Sequence, residues 1–279
     1  MENQLDKCGD TLTITHWNQW RSKRTQALKE PHGWLSLTSL TWLSDIPSPI
    51  PHFPGLWSVI FSPENNVFIV NVHADSDTEF FRDGMPVREA TFVLSRGESD
   101  MSLSYKDQIA EVAQRGEGSL IRIRDPHSAL RTSFTGVPVW DFTPTWICPC
   151  VPMWDEETSV ITVTSAQENL TTSLTRVGTV RVSLPDGSHI TLTVTGSVNE
   201  PSVIFHDHTN GVDTPLWRVA PLVYCTSEGN ISGDQWFINF NCSQVFPSHF
   251  TPFGTCPMPP AGNKIPLRVE AGEKSPILS

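Results

Sequence analysis

The pattern of hydrophobic and polar positions changes character once along this chain. Between Thr15 and Glu30, Trp17, Trp20, Ala27 and Leu28 recur at helical spacing, and Pro31-His32-Gly33 ends the run. The spacing predicts one amino-terminal helix with Arg24 on its apolar face. A guanidinium there must meet a carboxylate or run its stem past the tryptophans to water. After Gly33 the period becomes two. LWSVIF, NVFIVNV, REATFVL, SLIRIR and SVITVT are short runs of β-branched and aromatic residues with turn residues between them. In VRVSLPDGSHITLTVTG, Val180, Val182 and Leu184 alternate with polar residues, Pro185 to Ser188 turn, and Ile190, Leu192 and Val194 alternate back. Such alternation describes antiparallel strands with one wet face. The expected fold is mainly β, an antiparallel β-sandwich or distorted barrel with one amino-terminal α-helix.

A stretch rich in Pro, Trp and Cys, Asp141 to Glu157, breaks the strand pattern. It divides the chain into a helical segment (1–32), an amino-terminal β lobe (33–145) and a carboxy-terminal β lobe (146–279), or forms a loop within one sheet system. With 38% hydrophobic and 18% charged residues the composition is that of an ordinary globular protein. A net charge of −11 without a Lys/Arg cluster argues against nucleic acid as a partner. The start, MENQLDKCGDTLTITHW, has no apolar signal region and no run is long enough to span a membrane, so a cytoplasmic protein with reduced cysteines is expected. The sequons at Asn169, Asn230 and Asn241 then carry no meaning. No G-x-G-x-x-G, P-loop or Schiff-base lysine setting is present, and no cofactor is expected. Nothing in the pattern bears on oligomeric state.

The end of the chain is its most unusual part. Pro247, Pro252, Pro257, Pro259 and Pro260 impose a stiff, non-helical path that presents Asn241, Ser248, His249 and Cys256. Phe240-Asn241, Phe250-Thr251-Pro252, Thr255-Cys256-Pro257, Pro259-Pro260, Asn263 and Ala271-Gly272-Glu273 resemble the signature of the DUF1684 family, a domain of unknown function. FHDHTNG (Phe205 to Gly211), the arginine-rich Ile121 to Trp140, and WRSKR with PHGWLSL (Trp20 to Leu37) extend the likeness over nearly the whole chain. Asn239, Val245, Ser248 and Gly262 depart from polar positions of that signature, and His249 stands where a small residue is usual. The resemblance implies a family and no settled activity.

Several constellations offer chemistry. Arg122 and Arg124 share one face of a strand, and Asp125 and His127 follow in a turn. With Arg131 they either clamp an organic anion while His127 moves a proton, or form a solvated face of ion pairs. His206 and His208 flank Asp207 with metal-ligand alternation, but Asp207, Thr209 and Gly211 also read as a turn, and no metal is assigned. Cys148-Pro149-Cys150 lacks redox or zinc spacing and reads as structural. The function expected first is a cofactor-independent enzyme of cyclase, isomerase or lyase type acting on a small organic molecule, with His127, Asp207 and His249 as catalytic groups. Arg122, Arg124, Arg131, Asn241 and Cys256 would bind its substrate. The alternatives are a non-catalytic ligand-binding or scaffold domain and a hydrolase using Cys256 or Ser248.

Overall fold

A computed structural model describes residues 12–75, 78–225 and 235–277. Cys8, the start of the chain and the Asn230 sequon lie outside the described residues. The predicted helix is α1 (Ile14–Leu28), capped by the Thr13 hydroxyl, which accepts from the His16 N–H. Arg24 meets a carboxylate: its Nε lies 3.0 Å from Oε1 of buried Glu273. Trp17 donates its indole N–H to the Asn241 carbonyl, so the helix is pinned to the carboxy-terminal segment at two points.

Both expected architectures are present in one chain. Strands β1 (Leu37–Trp42), β2 (Ser48–Ile50), β3 (Phe53–Ser62), β4 (Val67–His73), β5 (Phe80–Arg82), β6 (Met85–Val87), β7 (Glu89–Leu94), β8 (Ser99–Tyr105), β9 (Gln108–Arg115) and β10 (Gly118–Arg124) form two antiparallel sheets. Their orders are β1-β10-β9-β8-β5-β6 and β2-β3-β4-β7. The sheets pack over a core of Trp57, Val70, Phe80, Phe92, Leu103 and Ile121, among others. In β7 the alternation is strict, with Ala90, Phe92 and Leu94 inside. β10 is different, because both of its faces are buried. Ile121 and Ile123 enter the sandwich core, while Arg122 and Arg124 lie buried on the opposite face.

A short helix α2 (Ala129–Ser133) leads into the carboxy-terminal lobe, where β11 (Ile147–Thr164), β12 (Thr171–Ser183), β13 (His189–Gly196), β14 (Pro201–Phe205), β15 (Arg218–Cys225) and β16 (Gln235–Asn239) close into a barrel. The expected hairpin is β12 and β13, and Val180, Val182, Leu184, Leu192 and Val194 fill the barrel as their alternation requires. β11 and β12 are too long for the barrel alone. Their pairing breaks between Trp154 and Ser159, where Gly178 has φ +155° and a Cβ would meet the Met153 carbonyl oxygen at 2.4 Å. Beyond this bulge the hairpin pairs on to its tip, where Ala166 N–H donates to the Cys256 carbonyl. Bulges bend strands, and this one sets off the distal hairpin that meets the motif loop. Cys148, Cys150, Cys242 and Cys256 are free and buried, as structural thiols are. Among the described residues no helix is long and apolar enough to cross a membrane.

A candidate ligand cavity between sandwich, hairpin and motif loop

The face of β10 that carries Arg122 and Arg124 was expected to be either an anion clamp or a solvated array of ion pairs. It is not solvated. Arg122 donates from Nη1 to Glu111 Oε1 (2.8 Å), from Nη2 to Thr255 Oγ1 (2.6 Å) and from Nε to the Phe253 carbonyl (2.9 Å). Arg124 donates from Nη2 to Glu111 Oε2 (2.6 Å) and from Nη1 to the carbonyls of His32 and Gly33. The Trp34 ring covers both guanidinium groups, its centroid 5.6 Å from one and 5.1 Å from the other. Burial alone would raise the Glu111 pKa, but Arg122, Arg124 and Arg115 outweigh it and hold the carboxyl below its usual range. The cluster therefore ties the sandwich to the motif loop and to the turn after α1.

Beside this cluster lies a cavity of about 700 Å³, within the range that holds small organic ligands. The sandwich contributes Trp34, the turn Arg96-Gly97, and Gln114 to Glu117 at the β9–β10 turn. The distal β11–β12 hairpin contributes the hydroxyls of Thr162, Thr171, Thr172 and Ser173. The motif loop supplies Phe246, Pro247 and the triplet Thr255-Cys256-Pro257. Backbone pairing of Ala166 to Cys256 and of Met258 to Thr164 holds this triplet against the hairpin. Burial pushes the Cys256 thiol up from its ordinary value, and Ser248 and Arg122 offset only part of that. It is a neutral thiol at physiological pH.

The structure separates the residues singled out from sequence. His127 sits on an exposed turn, its Nε2 2.5 Å from Asp107 Oδ2. Arg131 donates to the carbonyls of Lys29, Glu30 and Pro126, closing the end of α1. Asn241 is buried in a reciprocal pair with the Thr143 backbone, which also removes its sequon from solvent. Asp207 is sealed at the barrel end. Its Oδ2 accepts from Arg218 Nη2 at 2.8 Å, and its Oδ1 accepts from the Thr209 N–H and hydroxyl, the turn weighed in the sequence. His249 packs edge-on against Trp217 with ring centroids 4.6 Å apart, and burial pushes its pKa down to about 4. His127, Asp207 and His249 do not line the cavity. Of the substrate-binding candidates Cys256 lines it, and Arg122 stands one hydrogen bond behind its wall.

Sequence reasoning missed Glu111, Gln114, Arg115 and the hairpin hydroxyls. A carboxylate at Glu111 within EVAQR, directly opposite Arg122 in the β9–β10 register, was the available signal. Most of the proline-rich signature turns out to hold the chain to itself. Asn263 bonds the Thr193 and Ile204 carbonyls, Glu273 accepts from Arg24 and the Val245 N–H, and only Thr255-Cys256-Pro257 and Phe246-Pro247 face the cavity.

A family model described as protein of unknown function (DUF1684) matches residues 132–274. The chain belongs to this DUF1684 family. The match covers about half the chain and not nearly all of it, so the likeness read into Trp20 to Leu37 and into Ile121 to Arg131 lies outside the matched region. An uncharacterized protein of Haloarcula marismortui, solved in solution by NMR, is similar at 23% identity over 52% of this DUF1684 chain and 78% of its own, with a TM-score of 0.40. No curated protein matches the chain.

Proposed function

We propose that this protein binds a small organic molecule, without catalysing its conversion, in the cavity between sandwich, hairpin and motif loop. The observation that carries the reading is the wall itself. Three segments distant in sequence converge on a cavity of about 700 Å³, and its titratable lining groups are Arg96, Arg115, Glu117 and Cys256. None of these offers a general acid near neutral pH: arginine does not deprotonate, Glu117 is held ionised by its hydrogen bond and charge pairing with Arg96, and the Cys256 thiol sits above its ordinary pKa. The one carboxylate that could act as a base, Glu117, has both oxygens engaged by Arg96. The hydroxyls, the indole of Trp34 and the prolines suit recognition of an apolar body with few polar groups. The same neutral thiol speaks against a hydrolase built on Cys256.

The test is capture from the producing cell. Purified protein is incubated with a metabolite extract, desalted and denatured, and the released compounds are identified by mass spectrometry. At least one compound should be retained unchanged, and retention should vanish in Thr172→Trp, which fills the cavity from the hairpin. Retention that survives Thr172→Trp, or release of a chemically altered product, overturns the reading.

A further inference from the structure

The charge around the cavity does not balance. Arg122 and Arg124 share the Glu111 carboxylate (2.8 and 2.6 Å), and Arg115, on the same strand as Glu111, makes no ion pair among the described residues: it bonds backbone carbonyls and the Ser99 hydroxyl. Three positive charges face one negative charge, so two remain over in a protein whose net charge is −11. The neighbouring carboxylates do not make up the difference. Glu117 is exposed and spent on Arg96 (2.7 and 3.0 Å), and the exposed Glu98 carboxylate accepts from the Ser95 N–H. Cys256, the remaining ionisable group on the wall, is a neutral thiol. Burial first and the repulsion of Arg122 second lower the Arg115 pKa, and attraction to Glu111 offsets only part of this.

Arg115 also has unspent donors. Its Nη1 serves the carbonyls of Gly97, Glu98 and Gln114, and its Nη2 serves Ser99 Oγ. Among the described residues this leaves Nε–H and one Nη2–H to donate to an anion. A guanidinium with donors to spare suits a carboxylate. Trp34, Phe246, Pro247 and Pro257 line the same cavity and form the apolar part of its wall.

Resting on the ligand-binding reading above, we infer that the ligand is a small organic acid whose anionic head docks on Arg115 and whose apolar body lies against Trp34 and the motif-loop prolines. The head neutralises charge that the fold leaves over, and the body displaces water from the apolar wall.

The test is a titration of tryptophan fluorescence with 2-naphthoic and cinnamic acids, each beside its methyl ester. It uses the wild-type chain and Arg115→Gln, from about 50 to about 300 mM salt. The acids should bind about tenfold or more tightly than their esters, weaken with salt, and lose about tenfold on Arg115→Gln while ester binding holds. Arg115→Lys, which keeps the charge and loses the planar guanidinium fork, serves as a second variant should Arg115→Gln not fold. Esters binding as tightly as acids, or acid binding insensitive to salt and to Arg115→Lys, overturns the anion inference and leaves the cavity-binding reading in place. Absence of any binding, together with an empty metabolite capture, overturns both.

Discussion

Two buried arginine–carboxylate clusters hold this molecule together, and they are built on opposite terms. At the barrel end, Arg218 and Asp207 pair one to one with neither side chain exposed, and the guanidinium also donates to the carbonyls of Val269, Ala271 and Glu273. Trp140 and Phe205 cover it. On the sandwich face, Glu111 pairs with Arg122 and Arg124 while Arg115 stands nearby on the cavity wall, so three arginines share the neighbourhood of one carboxylate. A closed, balanced pair is what a fold needs when burial of a charge has to be compensated on the spot. An unbalanced cluster beside a cavity leaves positive charge that water, counter-ions or an anionic ligand must meet. The contrast separates a fastening from the proposed site, although both are made of the same residue types.

The comparison breaks most visibly at Asp207. Asp207→Ala strands a fully buried guanidinium, and urea denaturation should show a loss at the upper end of about 3–5 kcal/mol, or no folded protein at all. No organic acid should restore it. Glu111→Gln should cost somewhat less, about 3 kcal/mol, because Arg115 reaches the cavity and its solvent. The two variants part in one further respect: organic acids that bind the wild type should raise the melting temperature of Glu111→Gln by more than they raise the wild type's.

The Glu111 cluster also has a pH signature with a definite sign. Its folded pKa is depressed, so its stabilising contribution is present above the unfolded value of 4.5 and is lost as pH falls through the lower folded value. Urea midpoints measured at successively lower pH should fall below 4.5 in the wild type and fall less in Glu111→Gln. His249 acts in a neighbouring window. Its folded pKa of about 4 lies below the ordinary 6.5, so the unfolded chain binds more protons between these values and stability drops as pH falls from 6.5 to 4. Because the ring is only partly buried, the drop should be on the order of 1–2 kcal/mol, and His249→Phe, which keeps the packing on Trp217, should abolish it. The smallest effect belongs to Arg96→Gln. Removing an exposed partner of Glu117 should leave the melting temperature unchanged while weakening acid binding slightly, and a large stability loss would mean that the rim is structural.

Much of the framework was legible from residues near one another in the chain. The helix, the carboxylate awaiting Arg24, the hairpin that became β12 and β13, and the common face of Arg122 and Arg124 follow from periodicity and from the intolerance of buried charge. Cys256 was named from the sequence as a substrate-binding candidate in the family-matching loop, and it lines the cavity. Asp207 was read as a candidate catalytic group, and the structure pairs it with buried Arg218 away from the cavity; its turn looks the same in sequence whether it faces a substrate or an arginine. Glu111 went unread because β9 is buried on both faces, which leaves no alternation to mark a carboxylate as buried and functional.

What the amino-acid sequence determined alone is therefore the local grammar: one helix, many short antiparallel strands, and a stiff terminal loop. These follow from side-chain period and from restricted φ, which act over a few residues. Which charges pair and where the chain leaves a cavity was decided by tertiary structure. Arg122 reaches Thr255 across 133 residues and Asn241 receives Trp17 across 224, and no local preference specifies such contacts. The sandwich and the motif loop had to meet before Arg122 could bridge Glu111 and Thr255.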